Sequence, residues 1–241
     1  MNRAEWNQHA DSFEDNVCDI TKTDRKAYLS RLLGFARLPK RGATLVDLGC
    51  GLGTFIKRFG GRFDKIVGID FAPRIVMRAE KIIAPRQGAA LEKIDWLAMD
   101  IARSAAVLGA VADLTVCLNV ITSPSGARRR DLWANVAAVT RLKGFALVVV
   151  PSLESARVVR EFGTRRRARG DQDASGILAR SGARQKHYSR EELIEVMAQH
   201  GLVKRRISRV FYPWSEEGLS KPRRRGANHP WDWGVIAQRV A

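Results

Sequence analysis

Short apolar runs alternate with amphipathic stretches over the first two thirds of the chain. The runs ATLVDL (43–48), KIVGID (65–70), IDWLAMD (94–100), ADLTVCLNVI (112–121) and FALVVVP (145–151) have strand length and few polar breaks, the pattern of strands covered on both faces. Between them, TFIKRFG after a glycine turn, APRIVMRAEKIIA (72–84) and RRRDLWANVAAVTRL (128–142) carry apolar residues at helical spacing, the last closed by Lys143-Gly144. Strands alternating with helices predict a doubly wound α/β unit, a mostly parallel sheet with helices on both faces.

The pattern changes after Pro151. SLESARVVREFG reads as a helix, whereas TRRRARGDQDASGILARSGARQ (164–185) is too polar and glycine-broken for core and reads as a mobile insertion. YSREELIEVMAQHGL (188–202) predicts a helix with Ser189 as N-cap and Gly201 at its end. VKRRISRVFYPW (203–214) and WDWGVIAQRV (231–240) alternate like two antiparallel terminal strands, which brings the sheet to seven. The residues before position 43 read as helices. One domain over 1–241 follows, with a helical cap or lid (1–42), a core (43–151), a basic insertion after strand 5 that closes on substrate (152–187), and a terminal helix with two strands (188–241).

Composition narrows the class. With 241 residues, 45% of them hydrophobic, the chain can bury one sizeable core. It has no apolar run near the roughly 20 residues of a membrane span and no secretory h-region at MNRAEWNQHADSFED, so a cytoplasmic protein without membrane contact is expected. Cys18, Cys50 and Cys117 are far apart and form no CxxC pair, which suggests neither a disulfide framework nor a metal site. The net charge of +17 is concentrated, with ten basic and four acidic residues over 152–190 and eight basic and two acidic over 204–225. Such a balance attracts acidic small molecules or phosphate polymers.

The chemistry lies in the first strand-to-helix turn. A glycine there lets a ligand approach the backbone beside a helix N-terminus. A dinucleotide fingerprint, GxGxxG, would need glycine at Thr54, and a Walker loop would need Gly-Lys-Ser/Thr; the chain reads D-x-G-x-G-x-G from Asp47 to Gly53 and satisfies neither. VDLGCGLGTF resembles motif I of the class I S-adenosylmethionine-dependent methyltransferases, and the later strand ends resemble that family in the expected order.

That resemblance implies S-adenosylmethionine as cofactor, held by Asp47, Gly49, Cys50, Gly51 and Gly53 in the turn. It implies that Asp70 accepts hydrogen bonds from both ribose hydroxyls, a suitable task for an acceptor-only carboxylate, while Phe71 packs on adenine. Asp100 would receive the adenine amino group with Ile101 offering its backbone, and Asn119, at the motif IV position, would lie beside the methionine moiety or the reacting methyl. The RLKGFALVVV turn departs from the Pro-Gly-Gly more usual in the family.

In-line methyl transfer rests on positioning and needs a base only for some acceptors. His9, His187, Tyr188 and His229 are the candidates, with His200 more suited to a helix end. Trp6, Phe211, Tyr212, Trp214 and Trp231 suggest aromatic walls for an acceptor, while Trp233, inside the last strand, reads as core. The leading expectation is a methyltransferase acting on O or N of a small molecule. RNA drawn to the basic segments and a non-catalytic binding or regulatory protein of the same fold are the alternatives, and the oligomeric state is open.

Overall fold

A computed structural model of the protein describes residues 3–8, 10–13, 17–24, 26–84, 94–162, 175–180, 183–222 and 229–241. Strands β1 (Thr44–Leu48), β2 (Lys65–Asp70), β3 (Ile94–Ala98), β4 (Ala112–Leu118), β5 (Thr140–Pro151), β8 (Leu202–Phe211) and β9 (Trp231–Arg239) form a seven-stranded sheet in the order β3-β2-β1-β4-β5-β9-β8. The first five are parallel, and β8 and β9 pair antiparallel at one end. β6 (Ile177–Arg180) and β7 (Ala183–Lys186) form a separate antiparallel hairpin.

Both faces of the sheet are buried along its central strands, whereas the edge strands β3 and β8 are partly exposed. Along β1, Val46 and Leu48 pack with Trp133, Tyr188 and Met197 on one face. Leu45 packs with Leu29, Leu32, Phe55 and Phe59 on the other. The strand order reverses between β1 and β4, so the connections from these neighbours run in opposite directions and leave a crevice outside their C-terminal ends.

Two elements differ from the sequence expectation. The helix placed at 128–142 runs Gly126–Val139 and β5 begins at Thr140, which pairs with Ala112 ahead of a register shift. The buried Thr140 hydroxyl lies 2.7 Å from both the Val136 carbonyl and the Thr115 hydroxyl, and Lys143, with φ +65°, lies in the irregular stretch of β5 between the Thr140 and Phe145 pairings. The mobile insertion expected over 164–185 includes a paired hairpin in its described part. The Lys186 N–H donates to Thr122 O at 2.8 Å and the His187 N–H to Gly176 O at 2.8 Å, which ties the hairpin to the loop after β4. Residues 163–174 lie outside the described residues.

The N-terminal helices Arg3–Gln8, Ile20–Thr23 and Tyr28–Leu33 are fastened to the core by side chains. Arg58 donates to Thr21 O at 2.8 Å and sits 3.5 Å from the Asp24 carboxylate. Arg74 pairs with Asp11 at 2.8 Å. Among the described residues no helix is long and apolar enough to cross a membrane.

Candidate functional site

The turn after β1 is built by its glycines. The N–H groups of Gly49 and Cys50 both donate to Ile69 O, at 2.7 and 2.9 Å, which folds the turn onto the end of β2. Gly53, at φ +72°, precedes helix Thr54–Phe59, and a Cβ on it would lie 2.4 Å from Ile83 Cδ1. A Cβ on Gly51 would come within 3.0 Å of the Phe13 ring, so the N-terminal cap closes directly over the turn.

Asp70 ends β2 beside this turn. Its Oδ1 accepts from the Ala72 N–H at 3.0 Å and its Oδ2 from the Gly51 N–H at 3.3 Å. Burial raises its pKa above the usual carboxylate value against the opposing pull of the Ala72, Gly51 and Phe71 N–H groups. Asp47 lies deeper, 2% exposed. Burial, then the charges of Asp70 and Asp19, push its pKa up to about 8. Asp47 Oδ2 and Asn119 Oδ1 are buried acceptors that receive no hydrogen bond within the protein. A concentration of carboxylates with unserved acceptors suits a ligand bearing a cationic donor.

Asp100 presents a different environment. Burial raises its pKa, but the hydrogen bond from Arg128, the Ala102 N–H and the charges of Arg128 and Arg103 outweigh that effect and hold it below the ordinary value. The Arg128 guanidinium lies 2.5 Å from Asp100 Oδ1.

One cavity of about 640 Å3 joins these groups, a volume within the range of small-molecule sites, about 300–1,000 Å3. Asp47, Gly49, Cys50, Gly51, Asp70 and Phe71 line it, as do Asp100, Ile101 and Asn119; Gly53 does not and serves the packing of its helix. Trp6 and Phe13 of the cap, with ring centroids 5.7 Å apart, form part of its wall, and Thr122, Ser123, Arg184 and Gln185 line it beside the hairpin.

The catalytic candidates stand elsewhere. His187 and Tyr188 are buried behind the hairpin, with His187 Nδ1 3.2 Å from Gln185 O and the Tyr188 hydroxyl donating to Ile121 O at 3.0 Å. Burial pushes the Tyr188 pKa up, which opposes a role as a base. His229 does not line the cavity, and His9 lies outside the described residues. The C-terminal aromatics pack on one another instead of walling the cavity, with Trp231–Trp233 centroids 6.4 Å apart and Trp233 Nε1 donating to Glu154 at 2.9 Å.

Sequence reasoning missed Asp19, Arg128 and Arg184 as lining residues. Asp19 takes the Thr54 hydroxyl on Oδ2 and caps helix Ile20–Thr23 through Oδ1. Its N-cap position was the one available signal. Arg128 was hidden in the run Arg128-Arg129-Arg130, where only the bridge to Asp100 distinguishes it.

Residues 46–146 match the family model of a methyltransferase domain. Over this core the chain is similar to a methyltransferase domain, and the solved structures that share its fold are methyltransferases. The fold is similar to the 1,6-didemethyltoxoflavin-N1-methyltransferase of Burkholderia thailandensis, at 15% identity over 99% of this chain and 87% of that one, TM-score 0.66. It is similar to the N-methyltransferase NodS of Bradyrhizobium japonicum, at 15% identity over 96% and 98%, TM-score 0.62. It also resembles a complex of the Haloferax volcanii Trm112 methyltransferase activator with a methyltransferase, at 14% identity over 99% and 96%, TM-score 0.61. No curated protein matches the chain by sequence.

The raised pKa of Asp47 gives the protein a measurable proton linkage. The folded, cofactor-free protein holds a proton on Asp47 that the unfolded chain loses near pH 4, so this group's contribution to stability falls as pH rises from about 4 to about 8. A ligand cation placed beside Asp47 would favour the ionised carboxylate. Binding at pH 7 is therefore expected to release close to one proton, and affinity to increase with pH up to about 8. Calorimetry in buffers of different ionisation enthalpy reads this directly; zero release would exclude Asp47 from the cation's surroundings.

Proposed function

We propose that this methyltransferase transfers a methyl group to an oxygen or nitrogen of a small-molecule acceptor, bound between the cofactor and the hairpin β6–β7. The observation that carries the reading is the continuous cavity, which extends from Asp70 and Asp100 to Thr122, Arg184 and Gln185 under the N-terminal cap. S-adenosylmethionine supplies the methyl on a sulfonium. In this reading Asp70 takes the ribose diol, Asp100 is kept ionised by Arg128 for the adenine amino group, and Phe71 and Ile101 flank the base. Asp47 and Asn119 face the α-ammonium with the acceptors that receive no donor within the protein.

Trp6 and Phe13 close the site, and exclusion of water with in-line placement of the acceptor lone pair supplies the rate. The titratable groups of the described cavity lining are carboxylates, thiols and arginines, which favours an acceptor that presents its own lone pair, such as an amine or an already ionised hydroxyl. The neighbours support this reading, one being crystallised with bound 1,6-didemethyltoxoflavin and S-adenosylhomocysteine and another being an N-methyltransferase.

Lys204, Arg205 and Arg206 are exposed on the edge strand β8, apart from the cavity lining. They repel strand addition at that edge, which accounts for part of the basicity without a polymer substrate. Removal of residues 164–185 is expected to abolish methyl transfer to a panel of small amines and phenols while S-adenosylhomocysteine affinity stays within about threefold. Equal loss of both would refute the placement of the acceptor. Turnover should change little between 50 and 200 mM salt, whereas an RNA substrate bound through six to ten phosphates would lose about 10³–10⁵ in affinity.

A further inference from the structure

Asn119 sits one residue beyond β4, with a backbone N–H that donates to Val149 O at 2.8 Å and a φ of +56°, a left-handed conformation that asparagine adopts more readily than most residues. Its carboxamide has two different ends. Nδ2 donates to Asp232 Oδ2 at 2.8 Å, whereas Oδ1 is buried without a donor and the residue lines the cofactor cavity. Asp232, 2% exposed, lies 113 positions away in sequence. It enters β9 opposite Pro151, and this pairing across β5 brings it to the end of β4.

An ionised carboxylate only accepts hydrogen bonds. In the structure Asp232 is the acceptor of the pair, so the Asn119 NH2 turns toward it and the carbonyl oxygen is left for the cavity. The opposite orientation would set two oxygens against each other in a buried place and aim an NH2 donor at a site that receives a cation.

We infer that Asp232 is a positioning residue for cofactor binding: it orients the Asn119 carboxamide so that Oδ1 accepts a hydrogen bond from the α-ammonium at the amino-acid end of S-adenosylmethionine. The inference rests on the assignment of Asn119 to that end of the cofactor made under Proposed function. It explains why an aspartate occupies an otherwise aromatic and apolar strand start, Trp231-Asp232-Trp233, where a fully buried carboxylate brings no packing advantage.

The test compares S-adenosylhomocysteine, which carries the ammonium, with 5′-methylthioadenosine, which lacks the amino-acid tail, by calorimetry at neutral pH. Asp232→Ala should weaken S-adenosylhomocysteine by about 10- to 100-fold, the value of one hydrogen bond to a charged group, and leave methylthioadenosine within about twofold. A purely structural role would move both ligands together, and that result, or no change in either, would overturn the inference.

Exchange of the two side chains, Asn119→Asp with Asp232→Asn, keeps one internal hydrogen bond and returns an acceptor oxygen to the cavity. This double variant should retain the wild-type ratio of the two affinities, and it decides the matter should Asp232→Ala not fold; loss of the ratio in the folded exchange variant would overturn the inference. Asn119→Ala separates the two levels. If it leaves S-adenosylhomocysteine binding unchanged, the assignment of Asn119 fails and the inference fails with it. If it weakens binding while Asp232→Ala does not, only the inference about Asp232 fails.

Discussion

Asp70→Ala should reduce the affinity for S-adenosylhomocysteine by roughly 10²–10⁴, because two charge-assisted hydrogen bonds to a ribose diol are worth about 1.5–3 kcal/mol each. The carboxylate has a second task in the free protein, where its oxygens receive the Gly51 and Ala72 N–H groups and so hold the turn in shape. The variant therefore loses both ligand contacts and loop order, and the loss should exceed that of Asp70→Asn, which retains one acceptor oxygen. Calorimetry on protein shown to be folded by its thermal melt reads the effect. Affinity within threefold of wild type would remove Asp70 from the ribose site.

Gly49→Ala is expected to cost substantial stability for a single methyl group. Gly49 has φ +78°, and an added Cβ would lie 2.3 Å from Val120 Cγ2 and 3.1 Å from Cγ1. Left-handed backbone costs a non-glycine residue about 1–2 kcal/mol, and forcing a methyl into a filled space costs about 1–3 kcal/mol. Together they imply about 2–5 kcal/mol, or a fall in Tm of roughly 5–15 °C at about 2–4 °C per kcal/mol for a chain of this size. Val120→Ala in the same chain removes the side chain that the new methyl strikes. It should return the part of the loss due to overlap and leave the part due to the backbone, so recovery should be incomplete. A Gly49→Ala protein with wild-type Tm would show that the turn relaxes freely, contrary to its double hydrogen bond to Ile69 O.

The cofactor half of the protein was legible because its signals are local. Four buried strands and the half-exposed β3 read as short apolar runs, and Asp47, Asp70, Asp100 and Asn119 fall at or near strand ends. In a parallel sheet such ends meet on one side whatever the connecting helices do. A one-residue offset, Gly53 with Thr54 in place of glycine, separated this turn from a dinucleotide loop. The glycines themselves divide by role only in three dimensions: Gly49 and Gly51 border the cavity, whereas Gly53 makes room for Ile83 and Trp96.

Elsewhere the local signals were outweighed by contacts distant in sequence. Helical spacing continued past Val139, but pairing of Thr140 with Ala112 drew the chain into β5 three residues before the expected stop. The polar, glycine-broken run after Phe162 concealed a hairpin, because Thr122, from the loop after β4, supplies the carbonyl that the Lys186 N–H reaches. Trp214 and Trp231 looked like pocket walls, yet edge-on contacts with Phe162 and Trp233 place them in the packed interior, where Trp233 was expected.

By itself the sequence determined the α/β class, the cofactor turn and the acidic residues at the strand ends, because apolar periodicity and backbone sterics act over a few neighbouring residues. The tertiary structure alone decided that Arg128 meets Asp100, that Asp19 joins the acidic end of the cavity, that the hairpin supplies Arg184 and Gln185, and that Asp232 reaches Asn119. Those contacts depend on strand order and on side chains brought together from segments up to 113 positions apart. Their energies arise only once the sheet has assembled.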